Sequence, residues 1–266
     1  MEILVDPLGK ANAYQSARPF PHAILTGVFP ESILEAVLAE FPSPKGIDWI
    51  KFDNDQEKKL GSRVENKMGD ATQRFLAYLN SAPVIRFLED LTGIQGLIPD
   101  PYFEGGGLHQ ILPGGFLKIH ADFNWHNRLK LHRRINLLIY LNKDWEEGFG
   151  GHLELWDKDM KECREKVLPT FGKVVVFNTT DYAYHGHPNP LQCPQDRTRK
   201  SIALYYYSST RPKKEISNAH WTLFQKRRGE EWKESFSEKA VRRLLPPILV
   251  DWARAVKSGR RARTGA

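Results

Sequence analysis

A series of six strand-like runs between residues 108 and 208 constrains the fold of this chain more than any other feature. The runs cover residues 108–112, 116–121, 133–141, 152–156, 173–178 and 200–208. Turns rich in glycine and proline separate them, and no helical periodicity intervenes. A series of strands without alternating helices favours an antiparallel sandwich or jelly roll over a parallel sheet. We therefore predict a mostly β fold with a jelly-roll core at about residues 100–210.

Helical patterns flank this core. Residues 30–41 carry apolar side chains on one helical stripe, and Asp70 and Ser81 are suited to cap two further helices, the second ending near Gly93. A four-residue spacing of apolar side chains predicts a C-terminal helix at Trp232, Phe236, Ala240 and Leu244. Because no linker or repeat interrupts the chain, we predict a single domain over residues 1–266, with residues 211–266 as a helical C-terminal extension and basic tail.

The composition is that of an ordinary globular protein, with 41% hydrophobic and 27% charged residues. No run approaches the ~18 apolar residues of a membrane span. The N-terminus lacks the basic-then-apolar order of a signal peptide. Cys163 and Cys193 are too few for a disulfide framework, which fits a reducing compartment. We expect a cytoplasmic protein without a membrane span.

The net charge of +7 suggests nucleic acid as a partner, but its location argues against one. Residues 252–266 hold five basic and no acidic residues, so five of the seven surplus charges lie there. A short basic tail of this kind is typical of a solvated chain end. We therefore expect no nucleic acid partner, while an anionic substrate or partner stays open.

The run LKIHAD, residues 117–122, carries the first chemical signal. In an extended chain alternate residues share a face, so Leu117, Ile119 and Ala121 would face a core. His120 and Asp122 would then lie together on the opposite face. Two histidines and one carboxylate form the facial triad that holds ferrous iron and leaves coordination positions open. His120 and Asp122 supply two of these ligands, and the third must come from a distant strand.

His185, in the segment YAYHGHPNP, lies where a returning jelly-roll strand would deliver the third ligand. His187 is two residues further on, so alternation alone cannot separate the two histidines. His185 is nearer the strand-like run 173–178, whereas His187 precedes Pro188 and opens a loop rich in proline and asparagine. We predict that His185 is the ligand and leave His187 as a second contact to the site or to the substrate.

A carboxylate clamp follows in the run RKSIALYYY, residues 199–207. Arg199 and Ser201 share one face of this strand, and an arginine on an inner wall can hold a carboxylate through two parallel hydrogen bonds. The Ser201 hydroxyl can add a third hydrogen bond. Tyr140 shares a face with Asn136 and Leu138 of the run 133–141, and its phenol could reach the same carboxylate.

Together the segments HAD, RRINLLIYLNKDW, GGHLELW, YHGHP and RKSIALYYY resemble the iron(II)/2-oxoglutarate-dependent dioxygenases, specifically the prolyl 4-hydroxylase-like branch. The resemblance covers roughly residues 100–210, and the opening RPFPHAILTGVFPESILEAVLAEFP is similar to the N-terminal region of that branch. It implies a double-stranded β-helix with flanking N-terminal and C-terminal helices. It also implies that iron binds His120, Asp122 and His185. Arg199 would hold the distal carboxylate of 2-oxoglutarate, with Tyr140 and Ser201 assisting.

The resemblance further implies the reaction. Such an enzyme hydroxylates an unactivated C–H bond of a small molecule or a proline-like peptidyl residue. It couples this to the decarboxylation of 2-oxoglutarate to succinate, with oxygen as the other co-substrate and ascorbate as an optional auxiliary. Many animal prolyl hydroxylases have a tyrosine shortly before the first iron histidine, and Gln110 stands in its place here. Gln110 is therefore a further candidate contact to the co-substrate.

Two other functions stay open. Nucleic-acid demethylases of the same fold usually carry a second arginine beyond the carboxylate clamp, and Tyr205 occupies that position here. A non-catalytic jelly-roll binding module needs neither the triad nor the clamp. The residues that follow the first two ligands either line a substrate mouth or belong to a solvated loop; these are Trp125, His126, Arg128 and His132.

Overall fold

The strand-forming runs fold into one antiparallel sheet that curls around a cavity. The structure is a computed structural model that describes residues 2–63 and 67–232. Its strands are β1 (His22–Leu25), β2 (Ile50–Asp53), β3 (Glu57–Ser62), β4 (Ile98–Pro99), β5 (Gly107–Ile111), β6 (Phe116–Ala121), β7 (Trp125–His126), β8 (Leu131–Tyr140), β9 (Leu153–Trp156), β10 (Cys163–Val167), β11 (Val174–Asn178), β12 (His185–His187), β13 (Arg199–Ser208) and β14 (Leu223–Phe224). Its α-helices are α1 (Leu8–Ser16), α2 (Glu31–Ala39), α3 (Asp70–Leu79) and α4 (Ala82–Thr92).

The strand order creates two layers. The main path runs β1-β11-β8-β13-β5-β3-β6-β12-β9-β10, and β3 joins the two layers because it pairs with both β5 and β6. The short strands β2, β4, β7 and β14 pair with β3, β13, β8 and β6 respectively. This nearly closed antiparallel barrel is a jelly roll, and the predicted fold class is confirmed. The cavity between the layers is where side chains from both can meet.

Alternation along β8 and β13 separates the core from the cavity. On β8, Ile135, Leu137 and Ile139 pack against the helices as part of the larger apolar core. On β13, Ile202, Leu204 and Tyr206 join the same core. The intervening residues of both strands point into the barrel. The helices therefore cover the outer face of this layer and leave its inner face free to carry polar side chains.

The six predicted strands are all present, with ends that differ by no more than two residues. The sequence patterns missed α1, the short strands and the longer β3 and β10, because these elements carry little apolar periodicity of their own. The helix predicted at 30–41 is α2, and α4 ends at Gly93 with a left-handed φ of 75° as expected. Two caps differ from expectation: Gly69, not Asp70, precedes α3, and Ser81 precedes α4 without a capping side-chain hydrogen bond.

The helical C-terminal extension is not what the structure shows for residues 211–232. This segment, the C-terminal strap, has a single 3-10 turn at Lys213–Glu215 and the strand β14, and is otherwise extended or irregular. The strap lies across the barrel, and its strand β14 pairs with β6. This pairing satisfies backbone hydrogen-bonding groups, whereas a helix here would have no surface to pack against. The predicted helix from Trp232 to Leu244, beyond its first residue, lies outside the described residues.

Candidate metal and co-substrate site

A cavity of about 600 Å³ lies between the two layers of the barrel. Its floor is formed by β8, β13 and β5, and its opposite wall by β6, β12 and β9. Three of its residues belong to the C-terminal strap: Trp221, Thr222 and Phe224. The cavity thus receives side chains from both layers and from the C-terminal strap, which follows the last long strand, β13, in the sequence.

His120, Asp122 and His185 come together on the wall of this cavity. One nitrogen or oxygen atom from each lies within 4.8 Å of the others. The Nε2 atoms of His120 and His185 are 3.6 and 3.5 Å from the two carboxylate oxygens of Asp122. The strand pairing explains the convergence, because His185 of β12 is directly opposite His120 of β6.

Backbone carbonyls orient both imidazole rings. Nδ1 of His120 donates to the carbonyl of Lys118 at 2.8 Å, and Nδ1 of His185 donates to the carbonyl of Ala183 at 2.9 Å. With the proton held at Nδ1, the lone pair of Nε2 faces the carboxylate, as a metal-binding histidine requires. Burial lowers the pKa of His185 to about 4, and the opposing pull of Asp122 does not reverse it. Both rings are therefore oriented as metal ligands.

The buried guanidinium of Arg133 supports Asp122. Nη2 of Arg133 lies 3.1 Å from Oδ2 of Asp122, and Nδ2 of Asn136 donates to the same oxygen at 2.6 Å. The guanidinium also donates to Oδ1 of Asn136 and stacks between the rings of Phe123 and Tyr205. Burial alone would raise the pKa of Asp122, but Arg133 and the two histidines hold it well below its usual range. The sequence analysis missed Arg133, because strict alternation would place it on the core face with Ile135, and only the register shift between β8 and β13 at this point turns it into the cavity.

Arg199, Ser201 and Tyr140 line the other end of the cavity, as their shared strand faces predict. Nη2 of Arg199 donates to the Tyr140 hydroxyl at 3.3 Å, and Nε donates to the carbonyl of Gly151 at 2.8 Å. Burial raises the pKa of Tyr140, so its phenol is neutral and can donate or accept a hydrogen bond. The arrangement is a buried cation with two hydroxyl groups, which suits a carboxylate.

Gly151 is essential to the placement of Arg199, a role that the sequence analysis did not assign to it. Its φ of 73° is in the left-handed region. A Cβ atom at this position would lie 2.6 Å from Leu191 and 3.0 Å from Cδ of Arg199. The glycine therefore lets the arginine side chain pass close to the backbone and bond to its carbonyl.

Gln110 does not line the cavity, and its expected contact to the co-substrate is withdrawn. Its amide donates to the Thr198 hydroxyl at 2.8 Å on the other face of β5. Its neighbours His109 and Ile111 line the cavity instead, as alternation along a strand requires. Burial, with Lys59 nearby, lowers the pKa of His109 to about 3.

His187 belongs to β12 and not to the loop that its neighbouring proline suggests. It is 4% exposed and lines the same cavity as the triad and the clamp. Gly186 permits this, because a Cβ at that position would lie 2.8 Å from the carbonyl oxygens of both Leu117 and Lys118. The close approach of β12 to β6 carries His185 and His187 onto the same wall.

A smaller cavity of about 200 Å³ adjoins the first and shares Glu104, Phe123 and Trp221 with it. Trp125, His126 and Arg128 line this second cavity, whereas His132 packs its ring against Trp125 at 4.9 Å. His220 of the strap also lines it and bonds through Nε2 to Asp181 at 2.9 Å. Three of the four candidate mouth residues thus face a recess beside the main cavity.

The triad residues fit a metal ion in kind as well as in position. They are two imidazoles and one carboxylate, they are largely buried, and the lone pairs of the two Nε2 atoms face the carboxylate. This donor set suits a non-haem iron(II) ion, with open positions left for other ligands. A buried arginine beside the site matches a dicarboxylate co-substrate. Fold and site together give a jelly-roll cavity whose residues suit a metal ion and a carboxylate ligand side by side.

Comparison with known proteins finds a similarity in the central part of this chain. Residues 106–207 match the profile of the 2OG-Fe(II) oxygenase superfamily. A mouse protein named prolyl 3-hydroxylase OGFOD1 is 31% identical over 86 residues, which are 30% of this chain and 15% of that protein. The central part of this chain is thus similar to 2OG-Fe(II) oxygenases, and the chain spans only 15% of the length of the curated relative that it matches.

Solved structures of prolyl hydroxylases share the fold. A prolyl-4-hydroxylase from Pseudomonas putida superposes with a TM-score of 0.56 at 16% identity, over 77% of this chain and 100% of that one. A prolyl hydroxylase from Trichoplax adhaerens, in complex with a peptide fragment of the oxygen degradation domain of hypoxia inducible factor, gives a TM-score of 0.52 at 17% identity, over 76% and 87% of the two chains.

Within residues 2–63 and 67–232, no helix has the length and hydrophobicity needed to cross a bilayer.

Proposed function

We propose that this protein is an iron(II)- and 2-oxoglutarate-dependent hydroxylase of a proline-like peptidyl residue or a small molecule. The observation that carries the proposal is a single cavity that holds both the His120–Asp122–His185 triad and the Arg199 clamp. Neither cluster is needed by a module that only binds a partner, and both are needed by this chemistry. The similarity to prolyl 3-hydroxylase OGFOD1, of which this chain matches 15%, supports this activity.

The residues of the cavity have separate tasks. His120, Asp122 and His185 would hold iron, and Arg199 with Ser201 and Tyr140 would hold the distal carboxylate of 2-oxoglutarate. When bound, iron and 2-oxoglutarate would together with oxygen supply the oxidant that converts a substrate C–H to C–OH, while 2-oxoglutarate becomes succinate and carbon dioxide. Arg133 keeps Asp122 ionised and in place, because it combines a charge-assisted contact with stacking on two rings.

The substrate would enter beside Arg133, where the two cavities meet. Nη1 of Arg133 is buried in the cavity wall and has no hydrogen-bond partner among the described residues. It can therefore donate to a carbonyl or a carboxylate oxygen of the substrate, so an anionic substrate could bind at this position as well. Phe123, Tyr205 and Trp221 offer apolar faces nearby, which suit a pyrrolidine ring. The prolyl hydroxylase resemblance favours a peptide over a free small molecule.

The alternative functions are weaker. At the position where a demethylase would present its second arginine, Tyr205 instead stacks on Arg133 and bonds to the carbonyl of Gly105.

We also propose that residues 1–266 form one domain and that the protein acts in the cytoplasm, where the free cysteines Cys163 and Cys193 stay reduced. Nucleic acid is not among the proposed partners.

The test is a succinate-release assay with iron(II), 2-oxoglutarate and a library of proline-containing peptides and free amino acids. Mass spectrometry should find one added oxygen atom in the substrate that stimulates succinate release. Asp122→Ala and Arg199→Ala should abolish turnover. The matched control is Arg197→Ala, because the half-buried Arg197 is outside the cavity lining, hydrogen-bonds to the backbone carbonyls of Lys143 and Asp144 and lies over the ring of Phe149. Equal loss in Arg197→Ala and Arg199→Ala would remove the clamp from the proposal.

A further inference from the structure

His187 is a buried polar side chain without any hydrogen-bond partner among the described residues. Its ring is 4% exposed, and neither Nδ1 nor Nε2 has a donor or acceptor within reach. Buried polar atoms in native proteins are nearly always satisfied, so two open ring nitrogens on one side chain indicate a missing ligand or water. The other two histidines of this wall, His120 and His185, each bond through Nδ1 to a backbone carbonyl.

The cavity gives His187 a reason to be polar. It lines the same 600 Å³ cavity as Arg199 and Ser201, on the wall opposite the strand that carries them. An apolar residue at this position would pack against Leu117, its partner on β6, without leaving unsatisfied atoms. The chain instead places an imidazole there and holds it with a glycine that no other residue could replace without moving β6.

The electrostatic surroundings favour an anion. Arg199 and Lys59 line the same cavity as His187, and its acidic lining residues are each paired with a basic side chain: Glu57 with Lys59, Glu104 with Arg63 and Asp122 with Arg133. A neutral imidazole keeps one N–H donor and presents the other nitrogen as an acceptor. His187 therefore shares the cavity with the guanidinium of Arg199, which has no carboxylate partner among the described residues.

We propose that His187 is a positioning residue for 2-oxoglutarate, and that its ring N–H donates a hydrogen bond to a carboxylate oxygen of the co-substrate. The inference rests on the proposed function and extends it. The dicarboxylate would then be held by a buried guanidinium on β13 and a buried imidazole on β12, one from each layer of the barrel. Neither strand alone could enclose the co-substrate, which gives the cavity its preference for a ligand of this size and charge.

The experiment measures binding and does not depend on turnover. Isothermal titration of 2-oxoglutarate into nickel-loaded protein reports the affinity directly, since nickel(II) accepts the same nitrogen and oxygen ligands without redox chemistry. The variants are His187→Leu, which removes both nitrogens, and His187→Gln and His187→Asn, which each restore one N–H at a different reach. His22→Leu is the matched control. His22 of β1 is also buried, but its ring bonds to the carbonyl of Phe20 and it is outside the cavity lining.

We expect His187→Leu to weaken 2-oxoglutarate binding about 10- to 100-fold, the effect of one hydrogen bond to a charged group. His187→Gln or His187→Asn should recover most of that loss, and nickel affinity should change less than threefold in all variants. In turnover assays, the KM for 2-oxoglutarate should rise more than kcat falls.

Two outcomes would overturn the assignment. Binding by His187→Leu within about twofold of the unmodified protein would show that the imidazole does not contact the co-substrate. Equal weakening in all three His187 variants, with a lowered Tm, would show that the ring only fills space. If the unmodified nickel-loaded protein binds no 2-oxoglutarate at all, the proposed function itself fails. That result differs from a failure of His187 alone.

Discussion

Replacing Arg133 by methionine tests the electrostatic account of the site. Arg133 is 1% exposed, and its Nη2 lies 3.1 Å from Oδ2 of Asp122, whose side chain is 10% exposed. Methionine has a similar length and no charge, so it keeps much of the packing between Phe123 and Tyr205. The substitution leaves the Asp122 carboxylate buried beside a single amide donor. We expect the metal-free protein to lose a large part of its stability.

The magnitude follows from the burial of both partners. Removal of one partner of a buried ion pair costs about 3–5 kcal/mol, because the remaining charge has no compensation. Urea denaturation of the metal-free protein at pH 7.5 should show this loss in the free energy of unfolding. With saturating nickel(II), the loss should shrink, since a bound cation compensates the same carboxylate and stabilises the folded state by mass action.

Two controls isolate the pair. Arg63→Met breaks the ion pair with Glu104, whose side chains are 44% and 51% exposed, and should cost no more than about 1 kcal/mol. The double variant Arg133→Met, Asp122→Asn should recover part of the loss, as a double-mutant cycle requires for residues in contact. A loss below about 1 kcal/mol in Arg133→Met, or a loss that nickel does not change, would refute the view that this guanidinium compensates Asp122.

Three further outcomes are expected. Gly151→Ala should weaken 2-oxoglutarate binding at least about 10-fold, because the added Cβ displaces the arginine clamp. Gly172→Ala should not weaken binding, since Gly172 has a similar φ of 74° but its nearest contact to an added Cβ is at 3.7 Å. Equal effects of the two substitutions would mean that backbone strain alone is responsible. His185→Ala should lose stoichiometric nickel binding, and His187→Ala should retain it; the reverse result would exchange the two roles. Burial is the largest influence on the pKa of His220 and lowers it, but the hydrogen bonds to Asp181 and to the Trp221 carbonyl, together with the charge of Asp181, raise it more. The folded pKa is therefore above 6.5, and the stability from this pair is lost as pH rises through it. Unfolding curves from pH 6 to 9 should show that loss in the unmodified protein and not in His220→Gln.

The barrel could be predicted from the sequence because its information is local. Alternation in 116–121, 133–141 and 200–208 depends only on which face of a strand each side chain occupies, and that is settled by neighbours in the chain. The same rule placed Arg199, Ser201 and Tyr140 on inward faces. The fold class followed from turn spacing and the lack of helices between strands. Short elements such as β7 and β14 carry too few residues to show a period, so they were missed.

Gln110 shows where local rules fail. Its position before His120 suggested a contact to the co-substrate, but the pairing of β5 with β13 turns His109 and Ile111 inward and Gln110 outward. A shift of one residue in register reverses every side chain of a strand. That register depends on partners distant in sequence, which no local pattern specifies.

The sequence by itself determined the antiparallel barrel, the His120–Asp122 pair and the arginine clamp, because each depends on periodicity within one strand. Only the tertiary structure decided which groups complete the site. The pairing of β12 with β6 sets His185 opposite His120, and the close approach at Gly186 brings His187 onto the same wall. Arg133 reaches Asp122 only because β8 lies across the barrel from β6. These contacts join residues from different strands, and their energies exist only when the chain is folded.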